Sequence, residues 1–396
     1  MNQTAWKIAV VGAGPVGLAL ALHASRLLPQ ASITLFDARP VERDVAGDPR
    51  TLALSLGSVQ LLQRLGCWSD SAAQAITEVH VSQMPPTAVL ALGEPEVRIR
   101  ADALGVAQLG AVLPYGQLVA PMQHVWLAAA AADPARLHTR FGTPVNALKA
   151  MPGGVEVDAG VAETFDLAVV AEGGVFADQA RKAVTRDYKQ TAWVGSVTLE
   201  GAERGVAFER FTRHGPAALL PLLPAADGQQ RAALVWCVPS DDDPVRSLTD
   251  AQRLAVLRTI FPPAAGTLVG VTPLKEFALG LNAERSLVSG RTVRIGNAAQ
   301  TLHPVAGQGL NLGLRDAVEL VSVLRWAGDI DAALRRAEWA RAADRWTMIA
   351  ATDFLARSFT WKLPGAATAR GLGLAALQAL PPAKAWLARR MMFGAR

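Results

Sequence analysis

The chain has 396 residues, a net charge of +5 and 51% apolar residues. That length gives ample material for a buried core and allows two or three domains, while no apolar run is long enough to span a bilayer. Two cysteines, Cys67 and Cys237, supply neither a disulfide framework nor a metal-binding spacing, which fits a reducing cytoplasm. The positive charge belongs to the C-terminus. After Asp353 there is no acid, whereas Arg357, Lys362, Arg370, Lys384, Arg389, Arg390 and Arg396 are all basic. The rest of the chain is slightly acidic, so no nucleic-acid-binding face is spread over the fold.

In chain order, Lys7-Ile8-Ala9-Val10-Val11 reads as a strand entering Gly12-Ala13-Gly14-Pro15-Val16-Gly17, and an Ala/Leu helix follows. A second strand, Ile33–Asp37, ends in an acid twenty residues after Gly17. In such a turn Gly12 permits the tight bend, Gly14 admits a pyrophosphate and Gly17 lets helix and strand pack closely. Asp37 is placed to hold a ribose hydroxyl. This fingerprint alone does not separate FAD from NAD. Asp48-Pro49-Arg50-Thr51-Leu52-Ala53-Leu54-Ser55 then precedes a helix over about Ser58–Leu65, with Arg50 suited to a charge-assisted phosphate contact.

Partial alternation at Val79, Val81, Val97 and Ile99 predicts strands leaving the nucleotide fold. Tyr115–Asp133 reads as a helix, and strands at Arg136–Phe141, Val155–Val157 and Phe165–Val170 return to that fold. Between Lys182 and Lys275 the texture changes to strands at Trp193–Leu199, Val206–Phe211, Ala217–Leu222 and Ala232–Val238, with a helix at Ala251–Ile260. They read as a mostly antiparallel sheet able to wall an apolar cavity, with Phe211, Leu220 and Trp236 as candidate wall residues. Phe277–Leu279 brings the chain back.

The stretch from Val293 to Asp316 reads as a short strand, a loop fixed by Pro304 and a helix start punctuated by Gly307, Gly309 and Gly313. Glycines let backbone approach a ligand, and free N–H groups at the helix start suit a polar or anionic one. Helices follow at Leu314–Trp326 and Leu334–Phe359, the latter with Trp339, Ala343, Trp346, Ala350 and Phe354 along one face. Ala366–Leu380 and Ala383–Phe393 close the chain on either side of Pro381-Pro382.

This last glycine-rich string resembles the second flavin-binding motif of the FAD-dependent aromatic-ring hydroxylases. Its Gly-Asn-Ala-Ala-Gln-Thr-Leu-His-Pro segment, Gly296 to Pro304, resembles the ubiquinone-biosynthesis branch. The resemblance covers almost the whole chain and is strongest at 7–20, 33–55 and 293–316. It implies the class A flavin monooxygenase fold: an α/β, Rossmann-like FAD-binding domain, an inserted, mostly antiparallel β-sheet substrate domain and a C-terminal helical segment. The expected division gives 1–75, 101–180 and 281–327 to FAD and 76–100 and 181–280 to substrate. Residues 328–396 form a helical, membrane-associating segment.

Further implications concern chemistry. NADH or NADPH reduces the flavin, O2 is activated on it, and a polyprenylated phenol, 2-polyprenyl-6-methoxyphenol, is hydroxylated. FAD-binding residues carried over from the family are Gly12, Gly14, Pro15, Gly17, Asp37, Arg50, Gln123, Asn297, Gly307, Gln308, Gly309, Leu310 and Asn311. Gln123 is expected near the flavin ring, and His303 and Pro304 beside its reactive edge. His303 polarises the phenol or orders the loop. No metal is implied, since the hard chemistry belongs to the flavin.

Two departures stand out. Gly173 occupies the aspartate position of an Ala-Asp-Gly triplet, with Glu172 before it, and Asn297 replaces an aspartate. They keep open a weak-FAD accessory protein that binds lipid. A flavin-dependent dehydrogenase or oxidase also stays open. The basic tail is expected to rest on an anionic inner-membrane surface, facing the cytoplasm, or to meet other proteins of ubiquinone biosynthesis.

Overall fold

A computed structural model describes residues 5–84, 95–172, 184–358 and 365–394. Gly173, Gly174, Lys182, Trp361, Lys362 and Arg396 lie outside the described residues. Lys7–Val11 is apolar on both faces and runs through the middle of a six-stranded sheet. Ser32–Asp37 and Leu137–Phe141 lie in parallel on one side of it, and Leu167–Val170 and Thr292–Arg294 in parallel on the other. Val288–Ser289 adds a short antiparallel edge. Continuous Val/Ile/Leu runs are what a sheet covered on both faces requires. Helices Pro15–Leu27, Tyr115–Ala132 and Gln308–Arg325 bury their apolar faces in the core around this sheet.

Gly154–Asp158 departs from expectation. It pairs with Ala147–Met151 and Ala162–Phe165 in a separate three-stranded antiparallel sheet that packs Val155, Val157 and Phe165 against the nucleotide sheet.

The substrate-side strands form one large sheet. Its order runs Gln300–Thr301, Lys275–Ala283, Val184–Glu200, Gln230–Pro239, Pro216–Leu222, Val206–Phe211, Glu78–Gln83 and Glu96–Arg100, with Thr267–Val271 also on the long strand. All pairs are antiparallel except Val206–Phe211 with Glu78–Gln83. Lys275–Ala283 ends by pairing with Gln300–Thr301, which ties the sheet to the loop before the Gln308 helix. One face packs on helix Asp250–Ile260, which starts in a capping box between Thr249 and Gln252.

The helix Ile330–Ser358 turns a different face inward from the one its aromatics suggest. Trp339 is 81% and Phe354 56% exposed, whereas Arg341, Asp344, Arg345, Met348 and Ile349 are buried. Arg341 Nε donates to Asp316 Oδ1 at 2.7 Å and its Nη1 to Asp344 Oδ2 at 2.8 Å. Arg345 Nε donates to Gln300 Oε1 at 2.7 Å, and Gln300 Nε2 donates to Asp316 Oδ2 at 3.2 Å. Arg345 also donates to the carbonyl of Glu284. Buried charge is tolerated only when paired and hydrogen-bonded, and this network is.

The last two helices, Ala366–Ala379 and Pro381–Phe393, fold back on the body. Gln83 Nε2 donates to the Ala367 carbonyl at 2.7 Å, and Gln378 Oε1 accepts the edge-strand amide of Arg98 at 3.0 Å. Arg315 Nη2 reaches the Met391 carbonyl at 2.7 Å. The edge strand Glu96–Arg100 is thereby covered by a helix, as exposed edges generally are.

Helix packing at the sheet rests on glycine. A Cβ on Gly313 would lie 2.7 Å from Gly296 Cα and 2.8 Å from Val16 Cγ2. Gly313→Val is expected to lower the stability of the folded protein by about 1–3 kcal/mol, the usual cost of overpacking. Thermal or denaturant unfolding measures it, and an unchanged melting temperature would contradict this contact.

Candidate active site

Three glycines of the first turn have three different surroundings. Gly12 has φ +103°, and its Cβ would meet the backbone N of Glu172 at 2.9 Å. A Cβ on Gly17 would collide with the Gly12 carbonyl at 1.8 Å. Gly14 is open, with only the Tyr115 hydroxyl at 3.8 Å. Gly14 caps the helix that begins at Pro15, so the first helical N–H groups point into that open space. Space, exposed amides and the positive end of a helix fit a pyrophosphate.

Asp37 borders this turn. Its Oδ2 accepts the Ala13 N–H at 2.6 Å and its Oδ1 the Arg39 N–H at 2.7 Å. Gln123 belongs to the same end. Its Oε1 accepts from Arg39 Nη2 at 3.2 Å, and that nitrogen also donates to the Ala13 carbonyl at 3.3 Å. Gln123 therefore braces the glycine turn through Arg39. Arg50 stacks over the Tyr115 ring at 4.2 Å and forks onto Asp48, Nη2 to Oδ2 being 2.7 Å. That hydrogen bond holds the Asp48 carboxyl below its ordinary range. Two-thirds of the Arg50 side chain is exposed, and such pairs contribute only about 0–1 kcal/mol, so the Asp48 pairing holds Arg50 weakly.

An acid does stand at the end of strand Leu167–Val170. Glu172 lies against Gly12, and burial, then the charge of Asp37, raises its carboxyl above the usual value. The departure read at Gly173 is thus accompanied by a carboxylate one residue earlier.

The second loop has the same logic. Gly307 has φ +59° and caps the helix Gln308–Arg325, and a Cβ on Gly309 would meet nothing within 4 Å. Gly313 by contrast is packed solid. Leu310 packs against the main core, and Asn297 is exposed on the short turn Gly296–Ala298. Asn311 is a tie rather than a free ligand-facing amide. Its Oδ1 accepts from Ser55 N and Ser58 Oγ, both at 2.8 Å, and its Nδ2 donates to the Ala53 and Gly307 carbonyls at 3.1 and 2.9 Å. All of its hydrogen-bonding capacity is spent on joining strand Thr51–Ser55 to the loop.

His303 is likewise committed. It is 1% exposed, its Nδ1 accepts the Val305 N–H at 3.1 Å, and its Nε2 therefore carries the proton donated to Gln190 Oε1 at 2.9 Å. Tyr188 meets the ring edge-on at 5.3 Å and donates to Asp353 at 3.1 Å. Burial lowers the His303 pKa to about 4, so the ring is neutral at physiological pH and orders the loop through both of its nitrogens. Sequence reading missed this support. The long strand is irregular between Asp187 and Gln190, where Lys189 takes φ +50°, and the irregularity aims Gln190 at His303.

Between loop and sheet lies a cavity of about 370 Å³, within the usual range for small-molecule pockets. Pro304, Val305 and Gln308 bound it on the loop side, and Ala351 and Leu355 on the long helix. Leu374, Leu377, Leu387 and Met391 bring in the last two helices. Phe211 and Leu220 line it. Trp236 does not: strand parity puts it on the opposite face, in the core with Trp193 and Leu234, while Val235 and Cys237 face the cavity. Cys67 and Cys237 are both buried and free, and among the described residues no cluster suits a metal.

Residues 5–352 match the family profile described as FAD binding domain. The chain is 30% identical to the ubiquinone hydroxylase UbiL of Rhodospirillum rubrum, over 97% of this chain and 89% of that protein. It is 31% identical to the 3-demethoxyubiquinol 3-hydroxylase of Escherichia coli, over 96% of each. Among solved structures, Klebsiella pneumoniae R204Q HpxO complexed with FAD superposes with TM-score 0.73 at 17% identity, over 97% of this chain and 98% of that one. PqsL of Pseudomonas aeruginosa gives 0.69 at 17% identity, over 93% and 100%. Fold, loops and relatives together define a flavoprotein monooxygenase that binds FAD. The chain belongs to the FAD-binding-domain family and, within it, to the FAD hydroxylases of ubiquinone biosynthesis.

Two outcomes follow from this geometry. Gly14→Val is expected to lose FAD while the apoprotein melts near its usual temperature, because the space it fills is ligand space. Flavin absorbance after purification reads this, and full flavin content would contradict the assignment. His303, whose folded pKa lies below its unfolded value near 6.5, contributes stability that is complete above that value and lost as pH falls towards 4. The loss is at most about 3 kcal/mol, and His303→Gln should flatten that part of the stability–pH curve. A mutant with the wild-type slope would contradict a buried neutral ring.

Proposed function

We propose that the protein uses NADH or NADPH and O2 to hydroxylate the ring of a polyprenylated phenol, 2-polyprenyl-6-methoxyphenol. The observation that carries this reading is the cavity beside the flavin loop, lined almost entirely by aliphatic side chains and walled on one side by the C-terminal helices. Bound FAD supplies the electrons and the activated oxygen. The protein's own residues do the rest. The helix N-termini at Gly14 and Gly307 favour negative charge in the pyrophosphate and on the pyrimidine edge. His303, Gln190 and Asn311 fix the loop, and the apolar walls exclude water from the reacting ring.

The same helices support peripheral membrane binding from the cytoplasmic side. No helix among the described residues is long and apolar enough to cross a membrane. The pair Ala366–Ala379 and Pro381–Phe393 has a second, outward apolar face: Leu372 is 47%, Leu380 56% and Trp386 62% exposed. Arg389 is exposed beside it, and Arg390 stacks over Trp386 at 5.5 Å. Aromatic and aliphatic side chains ringed by cations suit an anionic lipid surface, and a polyprenylated phenol resides in the bilayer.

With the methoxyphenol as substrate, one oxygen atom of labelled O2 is expected in each product molecule; label from water would overturn the reading. Trp386→Ala combined with Arg389→Glu should cut flotation with anionic liposomes severalfold and leave FAD content intact. Equal flotation would favour a protein partner at this face. Point variants are required, because removing the helices also removes a cavity wall.

A further inference from the structure

We infer that the inner face of the last two helices is the binding site for the start of the prenyl chain, and that the pair lifts from the sheet to admit it. The inference rests on the function proposed above. Leu374 and Leu377 of Ala366–Ala379, and Leu387 and Met391 of Pro381–Phe393, line the cavity, and all four are half-buried. Val97 and Ile99 of the edge strand line it too. A cavity of about 150 Å³ takes one benzene-sized molecule, so one of about 370 Å³ holds the methoxyphenol ring and about one isoprene unit. The rest of a longer chain lies outside the cavity. Leu372, Leu380 and Trp386, exposed on the outer face of the same helices, offer the apolar surface nearest to it.

The seating of these helices suits such entry. Ala366–Ala379 buries Gly371 alone, and Pro381–Phe393 buries Ala388 and Met392 alone. The flavin-loop helix Gln308–Arg325, by contrast, buries Leu312, Leu314, Leu320, Val321 and Leu324. An element with so little buried apolar surface opens at low free-energy cost.

The two ends of the pair are held differently. At the C-terminal end Arg315 holds the Met391 carbonyl, and a Cβ on Gly57 would lie 2.8 Å from the Met392 carbonyl oxygen. That end is clamped. At the start of Ala366–Ala379 the ties are polar and incomplete. Gln83 Nε2 donates to the Ala367 carbonyl at 2.7 Å, and Arg370 Nη1 to that of Ser358 at 2.5 Å. Gln83 Oε1 and Ser358 Oγ, on residues 1% exposed, are buried there without a hydrogen-bond partner. Each such atom costs the closed form its solvation, and lifting this end returns both to water. A bound chain shifts the balance back, because closure over it buries apolar surface on both sides. The end that lifts also adjoins the flavin loop: Phe211, in register with Gln83, packs on Val305. The ring thus enters where it reacts.

The test is hydrogen–deuterium exchange of full-length, FAD-loaded protein, read by mass spectrometry. Amides of Ala366–Ala379 should exchange far faster than those of Gln308–Arg325. At about ten times its Kd, 2-geranyl-6-methoxyphenol should slow them about tenfold, by mass action on the closed form. Saturating 2-methoxyphenol, which has the ring and no chain, should slow them little. Ser358→Ala removes an unpartnered hydroxyl, so exchange in the ligand-free protein should slow about fivefold. Association of the geranyl compound, followed by flavin absorbance, should slow with it, because entry requires the open form. Gln83→Ala, which loses the Ala367 bond, should speed exchange. Flavin content and melting temperature verify folding. If wild type forms no hydroxylated product, the proposed function fails, and the contrast between the two phenols still tests the site. Equal protection by both phenols, or wild-type exchange and association in Ser358→Ala, overturns the inference.

Discussion

The site depends on one close approach. The helix starting at Gln308 crosses the helix starting at Pro15 at a point where Gly313 meets Gly296 and Val16, with no room for a further carbon. That contact brings the open starts of both helices to one crevice at the carboxyl ends of parallel strands, where α/β sheets bind nucleotides. Each helix start is left bare on its outer side, at Gly14 and at Gly309, and filled with backbone on its inner side, at Gly17 and Gly313. A cofactor with a charged middle and a polar ring edge is held by amides and helix dipoles. The protein adds little formal charge of its own.

Holding the second loop in place takes polar groups that water would otherwise compete for. Arg341 and Arg345 bring the long helix onto Asp316 and Gln300, and the Glu284 carbonyl closes the arrangement against the strand that feeds the loop. From the sheet side, Gln190 fixes the tautomer of His303, whose other nitrogen holds Val305. From below, Asn311 joins the loop to strand Thr51–Ser55. Three independent elements thus determine one short segment. Such redundancy is the condition for placing a flavin and a substrate ring to within a fraction of an ångström.

Much of this was legible in the sequence where chemistry demands particular residues at particular spacing. The turn Gly12–Gly17 with Asp37, and the string ending at Asp316, specify a cofactor because few alternatives satisfy a close backbone approach. Strand and helix positions followed from periodicity, but phase did not always. Trp236 was set on the wrong face, since a strand buried on both sides carries no polar residue to mark its orientation. The long helix carries Trp339, Trp346 and Phe354 along one face, but Trp339 and Phe354 are exposed, and the buried Arg341 and Arg345 face partners 25 and 45 residues away in sequence. Gln123 and His303 were found, but their roles depend on Arg39 and Gln190, and no spacing rule links those pairs.

The central claim is that both glycine loops hold a single FAD whose ring borders the aliphatic cavity. A crystal structure of the FAD-loaded protein with a prenylated methoxyphenol tests it most directly. The account predicts pyrophosphate over Gly14, the flavin ring along Pro304–Gly309 and the phenol between that ring and the sheet at Phe211, with its tail running towards Leu374 and Leu377. A flavin ring turned away from the cavity, or a phenol bound outside it, would contradict the account.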